Sequence, residues 1–273
     1  LPFLDAHFRV GNTLLGTTPA LLKENIPDIA FVALGDDDKT WTARLKARNK
    51  AEREADADQL SFEFGSESLN VDTAQFHKAA QEADTGTIAD LSQLRARADA
   101  WRKLEHDRDL KAAKHVADAW CAAFVQPKTG AHSSGHGITH ATLRALSEGQ
   151  TVPASITKQI DGLARQYRFF HWHLEFPGIF TVGEGGEGAA TGWSGGFSCV
   201  IGNPPWERVK IQDKEFFGNV GRTDIENAAT ADIRKNMIKE LADTDPHLHR
   251  AYLDALRQSD ATAHLLLKSG RYP

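Results

Sequence analysis

One short stretch constrains this chain more than any other. Phe197-Ser198-Cys199-Val200-Ile201-Gly202 is apolar, β-rich and bounded by glycines, and it runs directly into Asn203-Pro204-Pro205-Trp206. A run of that length and composition predicts a central strand buried on both faces. Neither proline has an N–H and each holds φ at about −65°, so the strand must end in a stiff turn. Open α/β sheets place ligands at the carboxyl ends of their strands. There the Asn203 amide offers an acceptor and donors, and Trp206 offers a flat surface. Acceptors beside a stacking platform suit a planar base with an exocyclic amine, taken out of its helix. The plain alternative is a rigid turn with Trp206 in the core.

The remainder falls into three stretches. Residues 1–17 (LPFLDAHFRVGNTLLGT) read as a buried strand and the turn after it. Residues 18–195 read mainly as helix. Thr40 to Asp58 has few apolar anchors among its Ala, Arg, Lys and Glu, which predicts a solvated helix. A long helix is expected from Ile88 to Val125, started by Thr87 and Asp90, stopped by Pro127, and apolar along one face. Another is expected from Ser155 to Trp172. Residues 196–273 hold the strand and turn described above, then helical patterns at about 231–243 and 247–268, with Gly270 as a stop signal.

Charge and cysteine content narrow the class. The 273 residues carry 32 Lys plus Arg against 37 Asp plus Glu, a net charge of −5, which excludes a chain that binds nucleic acid over its whole surface. The excess acid lies in residues 1–195, since residues 196–273 hold 11 basic and 11 acidic side chains. No apolar run reaches the roughly 18–20 residues that span a bilayer, so no membrane segment is expected. With no signal peptide and only Cys121 and Cys199, a cytoplasmic protein is expected. The chain starts at Leu1 and its single Met is Met237, as expected for a piece of a longer polypeptide.

Several other features are set aside. Gly183 to Gly188 is glycine-rich but precedes a strand, whereas a phosphate loop follows one, and its glutamates repel phosphate. His132, His136 and His140 fall four apart among glycines with no Cys nearby, so surface histidines are expected and no metal site. His171 and His173 read as structural, and Cys199 as a small buried residue. Arg208, Lys210 and Lys214 could face phosphates, but Glu207, Asp213 and Glu215 alternate with them, so a solvated loop is an equal reading.

Three pieces together resemble the adenine-N6 DNA methyltransferases of restriction–modification and phage defence, above all the large type IIG-like methylases. Phe8 to Gly16 (FRVGNTLLG) resembles the strand and turn that contact the adenine of S-adenosylmethionine, with Asn12 at the polar contact position. Phe170 to Phe180 (FHWHLEFPGIF) resembles the stretch these enzymes carry before the catalytic strand, with Gly178 where an acidic residue is more usual. Gly196 to Val209 (GFSCVIGNPPWERV) resembles the catalytic motif.

The resemblance implies an α/β, Rossmann-like class I methyltransferase core, incomplete in this chain and interrupted by a long, mainly α-helical insertion. Residues 1–17 and 196–273 would belong to the core and 18–195 to the insertion. It implies S-adenosylmethionine as cofactor and double-stranded DNA with a flipped adenine as partner. Asn203, Pro204, Pro205 and Trp206 would form the catalytic turn, and Asn12 would contact the cofactor. The methionine-binding loop and ribose-binding acid would precede Leu1 and a target-recognition segment would follow Pro273, so this piece alone is expected to be inactive. Competing readings are an RNA adenine or a protein glutamine as acceptor, and a non-catalytic module for DNA engagement or assembly.

Overall fold

Helix α5 (Arg108–Val125) is the element on which the others are laid. From Val116 onward every position but the half-buried Asp118 is buried, including Trp120, Cys121, Phe124 and Val125. A helix without a polar face belongs in a protein interior. The sequence pattern predicts a single apolar face. The alanines at 117, 119, 122 and 123 explain the difference, because they let neighbours approach from all directions. Trp120 stacks at a tilt on Phe124, ring centres 4.9 Å apart, and its indole N–H donates to the Asn25 carbonyl at 2.9 Å. The computed structural model describes residues 7–62, 74–85, 88, 90–129, 137–182, 190–203 and 210–272.

Around α5 pack α6 (His140–Ser147), α7 (Ala154–Tyr167), the short turn at Asp28–Ala30, and the second half of α12 (Pro246–Lys268). Helix α1 (Pro19–Lys23) precedes that turn, capped by the Thr18 hydroxyl. Helix α2 (Lys39–Phe62) is longer than expected. It begins where Asp38 Oδ1 accepts the Thr40 and Trp41 N–H groups at 2.7 and 3.0 Å. It lies against the rest through Thr42, Leu45 and Asn49, which are buried.

The helix expected from Ile88 to Val125 is two helices. Asp90 caps α4 (Leu91–Glu105), and Asp107 caps α5 by accepting the Asp109 and Leu110 N–H groups. Asp107 is a strong helix start inside an otherwise periodic run, so the chain turns there. The helix expected to reach Trp172 ends as α7 at Tyr167, because Arg168 takes the left-handed conformation (φ 53°) that closes helices. A short helix α8 (Trp172–Glu175) follows. Helix α3 (Ala74–Asp84) packs beside α4.

The strands depart most from expectation. Among the described residues the sheet is one antiparallel pair, β1 (Phe180–Thr181) with β2 (Ser194–Gly195). Neither residues 7–17 nor Phe197–Gly202 form a strand, and Val200 and Ile201 are 76% and 93% exposed. A strand buried on both faces needs a ladder on each side, and no described strand lies alongside either segment. Cys199 is accordingly exposed rather than buried.

A second, smaller core gathers residues 211–256. Phe217, Ile225, Ile238, Leu241 and Tyr252 come together from α9 (Asp213–Asn219), α10 (Thr223–Glu226), α11 (Ala231–Thr244) and the first half of α12. The tyrosine hydroxyl donates to Asp213 at 2.7 Å. Helix α12 ends as expected near Gly270, which has φ 78°. Its Arg257 reaches the first core, where Asp37 accepts from the guanidinium at 3.2 and 3.3 Å and from the Lys128 N–H at 3.0 Å. The Lys128 side chain is buried in the same place, its ammonium donating to the Phe124 carbonyl at 3.3 Å. No described helix is long and apolar enough to cross a membrane.

Candidate functional site

The three pieces singled out in the sequence meet at residues 168–180. The first piece is clasped by backbone. The Asn12 N–H donates to the Arg168 carbonyl at 2.7 Å, and the Phe170 N–H donates to the Leu15 carbonyl at 2.6 Å. The Thr17 N–H donates to His171 Nδ1 at 3.1 Å, and the Trp172 indole N–H donates to the Thr13 carbonyl at 3.2 Å. Gly16 makes this approach possible, since a Cβ there would sit 2.0 Å from the Phe170 carbonyl oxygen.

The third piece joins through its first residue. The ring of Phe197 lies 5.9, 5.3 and 5.5 Å from those of Trp172, Phe176 and Phe180, each edge to face. Such pairs add about 0.5–1.5 kcal/mol beyond burial. Beyond Phe197 the chain leaves the cluster, and Asn203 is exposed. Pro204, Pro205 and Trp206 lie outside the described residues, as do Arg208, Gly183 to Gly188, His132 and His136. Lys210 and Lys214 are exposed.

Asn12 is half-buried. Its side-chain oxygen accepts the Leu14 N–H at 3.2 Å, which fixes the turn, and its amide N–H₂ has no partner among the described residues. A fixed turn with one unengaged amide donor is compatible with contacting a purine ring. It supplies one polar contact and no enclosure: neither of the two clefts nearby is lined by Asn12 or Asn203.

Both histidines of the second piece are buried and structural. His171 accepts from Thr17 at Nδ1, so Nε2 carries the proton and donates to Asp118 at 3.0 Å. His173 stacks on Trp193, and burial pushes its pKa well below the usual histidine value, with His171 and Arg271 adding to the effect. His140, expected at the surface, is also buried. Its N–H donates to Asn49 and its Nε2 meets Asp56 at 3.0 Å, while Arg144 contacts the same carboxylate. The spacing that suggests a loop histidine conceals a helix N-terminus docked on α2. Among the described residues no cluster could hold a metal.

Periodicity misses an ion cluster at the edge of this site. Arg9 donates to Glu105 at 2.8 Å and lies 3.7 Å from Glu175, which also pairs with Lys114 at 2.5 Å. These side chains line a cleft of about 200 Å³ together with Trp101 and Leu110. Gly178 lines a neighbouring cleft, and a Cβ at that position would come within 3.1 Å of the Ala80 Cβ. A side chain at this position would require Ala80 to give by a few tenths of an ångström.

A chain whose three methylase-like pieces converge on one segment is recognised independently by its overall sequence. The family model of the Eco57I restriction-modification methylase matches residues 54–235, about two thirds of the chain. The chain therefore belongs to the Eco57I restriction-modification methylase family. The match takes in Phe170–Phe180 and Gly196–Val209 and lies C-terminal to Phe8–Gly16. No curated protein and no solved structure matches the chain.

Proposed function

We propose that this chain is part of an S-adenosylmethionine-dependent DNA methyltransferase that methylates N6 of a flipped adenine, in restriction–modification or antiviral defence. The observation that carries the reading is the family match, which encloses Asn203-Pro204-Pro205-Trp206 directly after an apolar β-rich run. Asn203 and the Pro204 carbonyl accept from the exocyclic amine, whose lone pair is delocalised into the ring. They favour the more tetrahedral nitrogen of the transition state over the planar ground state. Pro205 sets the bend, and Trp206 stacks on the extruded base, a contact worth about 1–3 kcal/mol. Asn12 contacts the cofactor's adenine. S-adenosylmethionine, when bound, supplies an electrophilic methyl group, so the protein's task is alignment. Neither cysteine is needed.

In this reading the exposed segment Cys199–Asn203 becomes the central strand of a Rossmann-like core once neighbouring strands and the methionine-binding loop are supplied by further polypeptide. A target-recognition segment would supply sequence choice. The exposure of Val200 and Ile201 also favours a second reading, in which this chain by itself is a non-catalytic module for DNA engagement or assembly.

Transfer of a labelled methyl group to adenine-containing duplex DNA decides between them. In the complete enzyme, Asn203→Ala is expected to lower the rate by at least about 100-fold, the usual loss on removing a transition-state hydrogen-bonding group. Equal labelling by both forms would exclude the catalytic reading.

A further inference from the structure

Helix α2 carries charge in a place its own stability does not ask for. Lys39, Arg44, Lys46, Arg48 and Lys50 fall within its first half, with no acidic residue from 39 to 51, although the whole chain has a net charge of −5. Within the helix acidic side chains begin only with Glu52, Glu54 and Asp56; of the three aspartates just before it, Asp36 pairs with Arg250, Asp37 with Arg257, and Asp38 caps the helix. The positive end of the helix dipole is at the N-terminus and its effect fades within the first turn, so Lys39 stands where a cation is disfavoured and the other four gain nothing from the dipole.

The five cations are exposed and arranged as two rails. At 100° per residue, Lys39, Lys46 and Lys50 project along one edge of the outer face and Arg44 and Arg48 along the other. Ala43, Ala47 and Ala51 form the exposed strip between them. The opposite face, with Thr42, Leu45 and Asn49, is the one that packs inward. Arg48 pairs with Glu52 at 2.6 Å and Lys50 with Glu54 at 3.7 Å. Lys39, Arg44 and Lys46 have no ion pair among the described residues.

We infer that the first half of α2 is a seat for the phosphate backbone of double-stranded DNA. The inference rests on the reading that this chain acts on DNA, and it concerns a surface distinct from the catalytic turn. The rails span about 17 Å of helix axis, enough for several phosphates, and the alanines allow a backbone to approach closely. A membrane-surface helix needs large apolar side chains opposite its charges; the outward strip here offers only methyl groups. The contacts are to phosphate, so they position the duplex without reading sequence.

The test is binding of the 273-residue chain to a random-sequence duplex across a salt titration, and it does not depend on methyl transfer. The triple variant Lys39→Gln, Arg44→Gln, Lys46→Gln is expected to reduce the slope of log affinity against log salt by about 2–3, at roughly 0.9 for each phosphate no longer neutralised. Its affinity at low salt should fall at least tenfold, with helix content by circular dichroism unchanged. Lys39→Arg with Lys46→Arg should retain the slope. A matched variant elsewhere, Lys103→Gln, Lys235→Gln, Lys239→Gln, should also retain it. An unchanged slope in the α2 variant, or an equal reduction in the matched variant, would overturn the inference. So would binding to phosphatidylserine vesicles without binding to the duplex. If Asn203→Ala left methyl transfer intact while the α2 variant showed the reduced slope, the catalytic reading would fall and this one would stand.

Discussion

The helical body and two outer stretches, Phe8–Val10 and Val200–Ile201, obey opposite rules. Around α5, side chains such as Trp120, Phe124, Ile138 and Leu143 are completely buried. In the other region Phe8, Val10, Val200 and Ile201 are 71%, 85%, 76% and 93% exposed. A helix satisfies its backbone internally and needs only one surface to pack on, which nearby helices provide. A strand satisfies neither backbone nor side chains until its neighbours are in place. The contrast teaches that the described stability resides in the helices, while Val200 and Ile201 lie exposed without the neighbours a strand needs.

That contrast can be broken by substitution. The largest effect is expected for Trp120→Ala, about 3–5 kcal/mol of lost stability in chemical denaturation, the usual range for emptying a buried aromatic site. Arg257→Ala should cost about 3 kcal/mol, because Asp37 would keep its burial and lose its guanidinium; a loss below about 1 kcal/mol would mean that Asp37 finds water. Lys128 sharpens the same point through pH. Burial pushes its pKa down to about 8 from 10.5, with Asp37 opposing and Arg257 assisting the shift. The unfolded chain then holds a proton that the folded chain lacks between those values, so stability rises with pH from about 8 to about 10.5. The gain should be up to about 3 kcal/mol and absent in Lys128→Met. His171→Ala leaves the Thr17 N–H and Asp118 without their partner, and should cost about 1–3 kcal/mol by the same denaturation assay. At the other extreme, Val200→Thr and Ile201→Thr should stay within about 0.5 kcal/mol in this chain. A loss of several kcal/mol there would show that the segment is already packed.

Acid should weaken the helical body too. Burial lowers the pKa of His140, His173 and His264. Each therefore contributes stability that is present above the ordinary histidine pKa of about 6.5 and lost as pH falls through its lowered value. Denaturation midpoints measured downward from neutral pH should decline, and His173→Phe should flatten the decline.

The helices were legible in the sequence because their signals are local. The apolar period placed α11, α12 and the start of α7 within a residue or two, and capping chemistry explains both places where it misled: Asp107 splits one long pattern, and Arg168 closes α7 early. The strands were not legible in the same way. Apolar, β-branched composition states what Val200 and Ile201 would do beside a ladder, not whether a ladder is there. For the candidate site, resemblance identified three pieces, and the structure brings the first piece and Phe197 of the third against residues 168–180. The Arg9–Glu175–Lys114 cluster was beyond reach, since its members are far apart in sequence and none stands out by type or spacing.

Helix α12 has a mechanical implication. Tyr252 anchors it in the small core and Ala261 and Leu265 anchor it in the large one, with Arg257 locked between them. A continuous rod shared in this way forbids either core from loosening alone. Hydrogen exchange along Leu253–Leu265 should therefore report a single cooperative opening, and a nick in that rod would release both halves at once.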